Sequence, residues 1–207
     1  MRALRAPLCS LLLGSLLLVP LGCAQEEPEE GLGSEEDARR AYLGLDLSIE
    51  KSLDLGMDGF NAASNANIPT QSGEGDAAGT IVVDGQVDQG NSDNKGMRLT
   101  VALEGYSDGV IEQVDDEDVE ITYDTHPDDL PDLTLSLRNI PSGTLEGTLV
   151  GTYEMHGSIE GTATLDLTIS GTIEDDGSGG ITRTVGGTRV TGVARSGDYA
   201  YDVDVTI

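Results

Sequence analysis

Aromatic side chains are scarce in this chain. It contains no tryptophan, one phenylalanine, Phe60, and six tyrosines among 207 residues. Tryptophan and tyrosine usually supply the large anchors of binding sites, because they remove the most surface from water. The composition therefore argues against a large aromatic pocket, and we expect any binding site to be built from smaller side chains.

Cysteine is equally scarce. The chain has two, Cys9 and Cys23, both near its N-terminus. The rest of the chain has no pair that could form an internal disulfide, so the fold must rest on packing and hydrogen bonds. The histidines, His126 and His156, have no cysteine or histidine neighbour at ligand spacing, which argues against a zinc site. We expect both in exposed turns, and we expect no cofactor.

Positive charge is the third deficit. Eleven lysines and arginines stand against 38 acidic residues, for a formal net charge of -27. Such a surface repels the phosphates of nucleic acids and the headgroups of anionic lipids, so neither is an expected partner. The plainest role for this charge is solubility in a salty medium, where mobile ions screen the repulsion.

The N-terminal segment has the layout of an export signal. Residues 1–5 carry two arginines, residues 11–19 form an apolar run, and Leu21, Gly22 and Cys23 follow. This order is typical of a secretory signal peptide, and the apolar run is too short to span a membrane as a helix.

The small residue Gly22 directly before Cys23, with the leucine-rich run upstream, resembles the lipobox of bacterial lipoprotein precursors. The resemblance implies cleavage after Gly22, acylation of Cys23 and anchoring of the mature protein in the membrane of the cell envelope. Several acyl chains give stable anchoring where one chain is marginal. Ala24, rather than an aspartate, after the cysteine implies delivery to the outer membrane. The alternative is an ordinary secreted protein that is cleaved nearby.

The chain divides into three expected parts. Residues 1–22 form the signal peptide, and residues 23–37 form the lipidated cysteine and an acidic, self-repelling tether with almost nothing to bury. Residues 38–207 have the size of one domain with one core. This domain resembles the acidic, β-rich lipoproteins of bacterial envelopes.

Residues 46–63 carry a pattern that fits both a helix and a strand. Ile49, Leu53, Met57 and Phe60 recur at helical spacing, whereas the alternation of apolar residues from 43 to 57 is typical of a strand. A strand of that length would be unusual. A helix over residues 46–63 is therefore the favoured interpretation.

After residue 78 the pattern has a period of two, broken at short intervals by glycine, proline and aspartate. This is typical of antiparallel strands with one dry and one wet face. We count about eight strands joined by short connections. The predicted fold is mainly β: a single antiparallel up-and-down sheet, curled into a barrel or half-barrel, with one N-terminal helix packed on it.

The longest alternation covers residues 144–174, which is too long for one straight strand. A three-residue loop of Met155, His156 and Gly157, with Gly157 in the left-handed conformation, would fold it back while keeping apolar residues on one face. The predicted pairs are Leu145 with Leu167, Leu149 with Ala163, Gly151 with Gly161, and Tyr153 with Ile159.

Two consequences follow from this predicted hairpin. Glu146 would face Asp166 on the wet face, which is unfavourable for like charges. On the dry face the glycines would leave a shallow trough that a helix or a small apolar ligand could cover. The glycines that line it are Gly147, Gly151, Gly161 and Gly171.

No nucleophile motif, phosphate-binding loop or paired-cysteine motif occurs, and carboxylate pairs are too numerous to be informative. The only metal hypothesis is weak calcium binding by acidic clusters. Its candidate residues are Asp115, Asp116, Asp118, Asp175 and Asp176.

We expect a lipid-anchored envelope protein without enzymatic activity, acting as a binding or structural module for a small apolar ligand or an envelope protein. An envelope glycan hydrolase that uses carboxylates, and a calcium-binding envelope protein, are the alternatives. The hydrolase would need two acids that converge in a cleft, at least one with a raised pKa.

Overall fold

The computed structural model of the protein describes residues 31–207, so Gly22, Cys23 and the expected signal peptide lie outside the described residues. Two helices precede eleven strands. Their bounds are α1 Glu35–Leu43, α2 Asp46–Ala62, β1 Gln71–Glu74, β2 Ala78–Val87, β3 Lys95–Ser107, β4 Val110–Val114, β5 Glu117–Asp124, β6 Asp132–Arg138, β7 Gly143–Gly157, β8 Gly161–Asp175, β9 Ile181–Arg183, β10 Arg189–Ser196 and β11 Tyr199–Thr206.

The sheet is antiparallel and follows the predicted up-and-down path. Eight positions run from edge to edge in the order β1, β2, β3, β5, β7, β8, β10 and β11. β6 continues the position of β5 between β3 and β7, and β9 shares the position of β10 beside β8. β4 is a short ribbon strand on β5. The mainly β, antiparallel fold is therefore confirmed.

Helix α2 confirms the helical interpretation of residues 46–63. Ile49 and Leu53 are buried on its inner face, and Gly56 and Gly59 are buried beside them. A Cβ built on Gly56 would lie 3.2 Å from Met97 Sδ. The small residues therefore let the helix approach the sheet closely, which explains why glycine is tolerated within it.

Helix α1 was not predicted, and it shortens the expected tether. Ser34 caps the helix: its hydroxyl accepts a hydrogen bond from the Asp37 backbone N–H at 3.1 Å. Glu35, Glu36 and Asp37 occupy the first turn, where the helix dipole favours negative charge. Leu32 is only 2% exposed. The acids that were expected to repel one another start a helix instead. Residues 32–37 therefore belong to the packed domain.

The long hairpin has the predicted phase but not the predicted register. Odd residues pair with odd residues, yet Leu149 lies opposite Leu167 and Tyr153 opposite Ala163. The turn therefore moves from residues 155–157 to residues 158–160. Gly157 does have a positive φ of 112°, as expected.

Contacts outside the hairpin select this register. β5 pairs with the end of β7 and places Tyr123 opposite Met155. Ile159, in the turn, is 7% exposed and joins the core. The pairing with β5 needs Met155 within the strand. The shift also removes the expected clash of like charges, since Glu146 now faces Ser170 and Asp166 faces Val150.

The core consists of one contiguous cluster that includes the dry face of the sheet and the inner faces of both helices. Its largest side chains are tyrosines, and Tyr123 and Tyr153 meet edge to face with ring centroids 6.3 Å apart. The Tyr123 hydroxyl donates to the backbone carbonyl of Ala41 at 2.9 Å, which ties the end of α1 to the sheet. The few aromatic residues thus serve mainly as core.

Candidate functional site

The glycine trough predicted on the dry face is filled by the chain itself. A Cβ added to Gly147 would meet Leu135 Cδ2 at 2.8 Å, and one added to Gly151 would meet Pro131 Cβ at 2.5 Å.

At Gly171 an added Cβ would meet Thr188 Oγ1 at 2.7 Å. Gly161 opens β8 with a φ of 113° and pairs with Met155. These glycines make room for neighbouring side chains or allow the turn, and the shallow trough is absent at Gly147, Gly151 and Gly171.

The calcium candidates lie in or beside two different turns, with Asp118 in β5 and Asp175 at the end of β8. Asp115 and Asp116 have positive φ values of 52° and 69° between β4 and β5. Asp118 accepts a hydrogen bond from Gln113 Nε2 at 2.6 Å.

Asp175 and Asp176 bond to the turn that follows β8, where Asp176 accepts from the Ser178 backbone N–H at 2.7 Å. Hydrogen bonds from Ser178 and from Gly180 lower the pKa of Asp176. Within residues 31–207, no group of three or more His, Cys, Asp or Glu side chains is placed to hold a metal ion.

One of the two histidines lies in a turn and the other in a strand. His126 stands in a turn, where its Nδ1 accepts from the Asp128 backbone N–H at 3.2 Å. His156 was expected in a hairpin loop but lies within β7, because the turn is further along the chain. Its Nε2 is 3.7 Å from carboxylate oxygens of Asp124 and Glu154, and its side chain is 52% exposed.

The most developed polar site joins α2 to β9. We call it the buried clasp: Arg183 with Asp46 and Glu50. Arg183 Nη1 donates to Asp46 Oδ1 at 2.8 Å, and Nη2 donates to Asp46 Oδ2 at 2.9 Å. Its Nε donates to Glu50 Oε2 at 2.7 Å. The Arg183 side chain is 9% exposed.

Further hydrogen bonds orient both carboxylates of the buried clasp. The Tyr42 hydroxyl donates to Asp46 Oδ1 at 2.6 Å, and the Thr182 hydroxyl donates to Glu50 Oε1 at 2.7 Å. Burial alone would lower the pKa of Arg183, but the hydrogen bonds and charges of Asp46 and Glu50 outweigh it and raise the pKa. The guanidinium of Arg183 is therefore held in its ionised form.

A cavity of about 250 Å³ opens beside the buried clasp, and we call it the clasp pocket. Among the described residues, one buried side-chain oxygen or nitrogen has no hydrogen-bond partner, and it belongs to this lining: Thr188 Oγ1. The pocket is lined by Asp46, Leu47, Glu50, Thr182, Arg183, Thr184, Val185, Thr188 and Ile207.

A second cavity, of about 610 Å³, lies between the start of α1 and β11. Two of its four acidic residues, Glu36 and Asp204, are paired with arginine. Arg39 donates to Glu36 Oε1 at 2.7 Å, and Arg189 donates to Asp204 Oδ2 at 2.7 Å. These hydrogen bonds lower the pKa of Glu36 and of Asp204. The cavity is lined by Ser34, Glu35, Glu36, Arg39, Asp202 and Asp204.

The pKa of Asp54 is shifted in the opposite direction. Partial burial, followed by repulsion from Glu50, Asp176 and Asp58, raises the pKa of Asp54 to about 6. It stands on the exposed side of α2 and lines neither the clasp pocket nor the cavity beside α1. A raised carboxyl pKa is one requirement for acid catalysis, but an enclosing cleft with a second acid is another.

Sequence reasoning missed the buried clasp. The spacing of Asp46 and Glu50 put both carboxylates on one helical face, which was a readable signal. Nothing in the sequence linked them to Arg183, which lies 137 residues after Asp46.

The fold and the site define an acidic, mainly β protein whose helices are held to the sheet by ion pairs and leave a small pocket at one seam. No protein-family model, no curated protein and no solved structure matches the chain. Within residues 31–207 no helix is both long and apolar enough to cross a membrane.

Proposed function

We propose that the protein is a lipid-anchored component of a bacterial cell envelope that acts as a non-catalytic binding or structural module. The anchoring part rests on the resemblance of Gly22 and Cys23 to a lipobox. The acidic surface agrees with an extracytoplasmic role in which nucleic acid is not a partner.

The observation that carries the non-catalytic part is the pairing of carboxylates with guanidinium groups. In the clasp pocket Arg183 binds Asp46 and Glu50. In the cavity beside α1, arginines bind Glu36 and Asp204. A glycosidase acid must hold a proton near neutral pH, and an adjacent guanidinium favours the ionised form instead. In these two cavities the arrangement thus supports binding over hydrolysis.

Hydrolysis is tested directly with purified cell-wall glycans. We expect the full chain to release no soluble saccharide above the level of a heat-inactivated sample. The comparison includes Asp54→Asn and Glu50→Gln, because Asp54 has the raised pKa and Glu50 lines the clasp pocket. Release by the wild type that either substitution abolishes would replace our proposal with the hydrolase.

The anchor is tested by mass spectrometry of the N-terminal peptide of the mature protein, produced in a bacterial host. We expect the peptide to begin at Cys23 and to carry acyl chains, and we expect Cys23→Ser to abolish both the modification and the membrane association. An unmodified Cys23, or cleavage at another position, would contradict the lipid anchor.

A further inference from the structure

We propose that the clasp pocket binds a small organic cation: a primary ammonium group carried on an apolar body about as large as one ring. This inference rests on the proposed function, because it names the ligand class of a binding module. Its elements are the size of the cavity, an unpartnered hydroxyl and the charge of the lining.

The dimensions and the rim of the pocket fit an apolar body. A cavity of about 150 Å³ accommodates benzene, so a cavity of about 250 Å³ has room for one ring and a polar group. Leu47 is 43% exposed and Val185 is 95% exposed, and both line the pocket together with Ile207. A ligand seated there would remove these side chains from water, which is favourable.

Thr188 supplies the polar contact. Thr188 is 1% exposed, and in the described part of the chain its Oγ1 has no hydrogen-bond partner. A buried hydroxyl without a partner is destabilising, because it has lost its hydrogen bonds to water. In the structure this hydroxyl packs against Gly171. Rotation of the Thr188 side chain about its Cα–Cβ bond would turn Oγ1 toward the pocket, where a ligand N–H would restore one of these hydrogen bonds.

Charge selects the sign of the ligand. The charged groups that line the pocket are Asp46, Glu50 and Arg183. Two carboxylates and one guanidinium leave one negative charge without compensation, and the donors of Arg183 already point at the carboxylates. The chain as a whole carries -27. The pocket therefore attracts cations and repels anions.

The first test compares ligands that differ only in charge. The full chain is titrated with cyclohexylamine, cyclohexanol and cyclohexanecarboxylate near neutral pH, and backbone amide shifts are followed by NMR. We expect the ammonium compound to bind tightest, the alcohol about tenfold more weakly, and the carboxylate not to bind. The shifts should be largest at Leu47, Val185, Thr188 and Ile207. Equal or tighter binding of the carboxylate, or shifts confined to other residues, would refute the proposal.

The second test removes the contacts one at a time. Thr188→Val should weaken the ammonium ligand about tenfold, because it removes the hydroxyl and keeps the shape. The matched control is Thr148→Val, which changes an exposed threonine that lines a different depression of about 360 Å³. Val185→Ser should weaken binding severalfold, and since that side chain is 95% exposed it tests the pocket without disturbing the core. Unchanged affinity in both Thr188→Val and Val185→Ser would rule out this site.

The two proposals fail separately. If no ammonium compound binds while cell-wall glycans stay intact, the ligand class is wrong and the non-catalytic function stands. If the protein releases saccharides, the function is wrong whatever the pocket binds.

Discussion

Two three-charge clusters hold the helices to the sheet, and they have opposite composition. The buried clasp has one guanidinium between two carboxylates. A second cluster, which we call the exposed clasp, has the Glu112 carboxylate of β4 between the guanidiniums of Arg39 and Arg40 of α1. Hydrogen bonds from Arg40 and Arg39 lower the pKa of Glu112. Both clusters join a helix to a strand, so their composition alone does not tell which one contributes more to stability.

What separates them is exposure and the presence of substitute partners. The Arg183 side chain is 9% exposed, whereas those of Arg39 and Glu112 are 33% and 24% exposed. Arg39 also pairs with Glu36 within its own helix. In the described part of the chain, neither carboxylate of the buried clasp pairs with another cation. Removal of Arg183 therefore leaves two poorly solvated carboxylates without a cation, whereas breaking the exposed clasp leaves no unpaired buried charge.

The largest expected effect is that of Arg183→Met. It leaves Asp46 and Glu50 without a cation in a poorly solvated seam, and removal of one partner from a buried ion pair costs about 3–5 kcal/mol. Urea unfolding followed by circular dichroism measures the free energy of unfolding. Arg189→Met is the control, because Arg189 pairs with Asp204 at the surface, with a side chain 61% exposed. Adding Asp46→Asn and Glu50→Gln to Arg183→Met should recover part of the loss. Equal effects of Arg183→Met and Arg189→Met would contradict the claim that burial makes the loss of an ion pair more costly.

An intermediate effect is expected for Lys51→Met. Lys51 of α2 pairs with Asp108, whose side chain is 8% exposed, and with Asp76, whose side chain is 63% exposed. Partial burial alone would lower the pKa of Lys51, but its hydrogen bonds to both aspartates outweigh it and raise the pKa. The Tyr106 hydroxyl still donates to Asp108 after the substitution. We expect a loss of about 1–3 kcal/mol in the free energy of unfolding, and less than about 1 kcal/mol for Asp76→Asn as the control.

A smaller effect is expected for Glu112→Gln. Ion pairs at this exposure contribute about 0.2–1 kcal/mol, and both arginines keep acidic partners in α1. The loss should shrink further in 1 M salt, where the screening length falls to about 3 Å. Urea unfolding at low and high salt measures both values. A loss as large as that of Arg183→Met, or one that salt does not change, would contradict the proposed order.

The last effect, in the same range as that of Glu112→Gln, is a pH dependence that originates at Asp54. Its folded pKa is raised to about 6 from an ordinary value of 3.8, so the folded state holds the proton more tightly than the unfolded state. Stability therefore falls as pH rises from 3.8 to about 6 and stays lowered above it. Because solvent screens this exposed group, we expect Asp54→Asn to gain only about 0.2–1 kcal/mol at pH 7. Below pH 3.8 the variant and the wild type should match. A gain that is independent of pH would point to helix propensity instead.

Periodicity predicted the type of the secondary-structure elements, and in residues 46–63, where it fitted both a helix and a strand, the unusual length of the strand decided for the helix. The alternation after residue 78 indicated antiparallel strands, and the helical spacing of Ile49 and Leu53 indicated α2, as the structure confirms. Helix α1 was not predicted, although Ser34 followed by three acidic residues is a common start of a helix. That signal was assigned to a tether because the charges were considered without the cap.

Register and the site depended on contacts between distant residues. Leu149 could pair with Ala163 or with Leu167 at the same phase, and the pairing of β5 with β7 decided between them. The clasp pocket was likewise invisible, because Thr188 and Arg183 reach the start of α2 only after the sheet has formed.

The sequence by itself determined that residues 78–207 form a sheet with one dry and one wet face and that α2 packs an apolar face, since side-chain direction follows from local backbone geometry. Only the tertiary structure decided which acids meet which cations. In a chain with 38 acids and eleven lysines and arginines, almost any cation could find a carboxylate. The burial of Arg183 between Asp46 and Glu50 selects one pairing, because burial makes every alternative more costly.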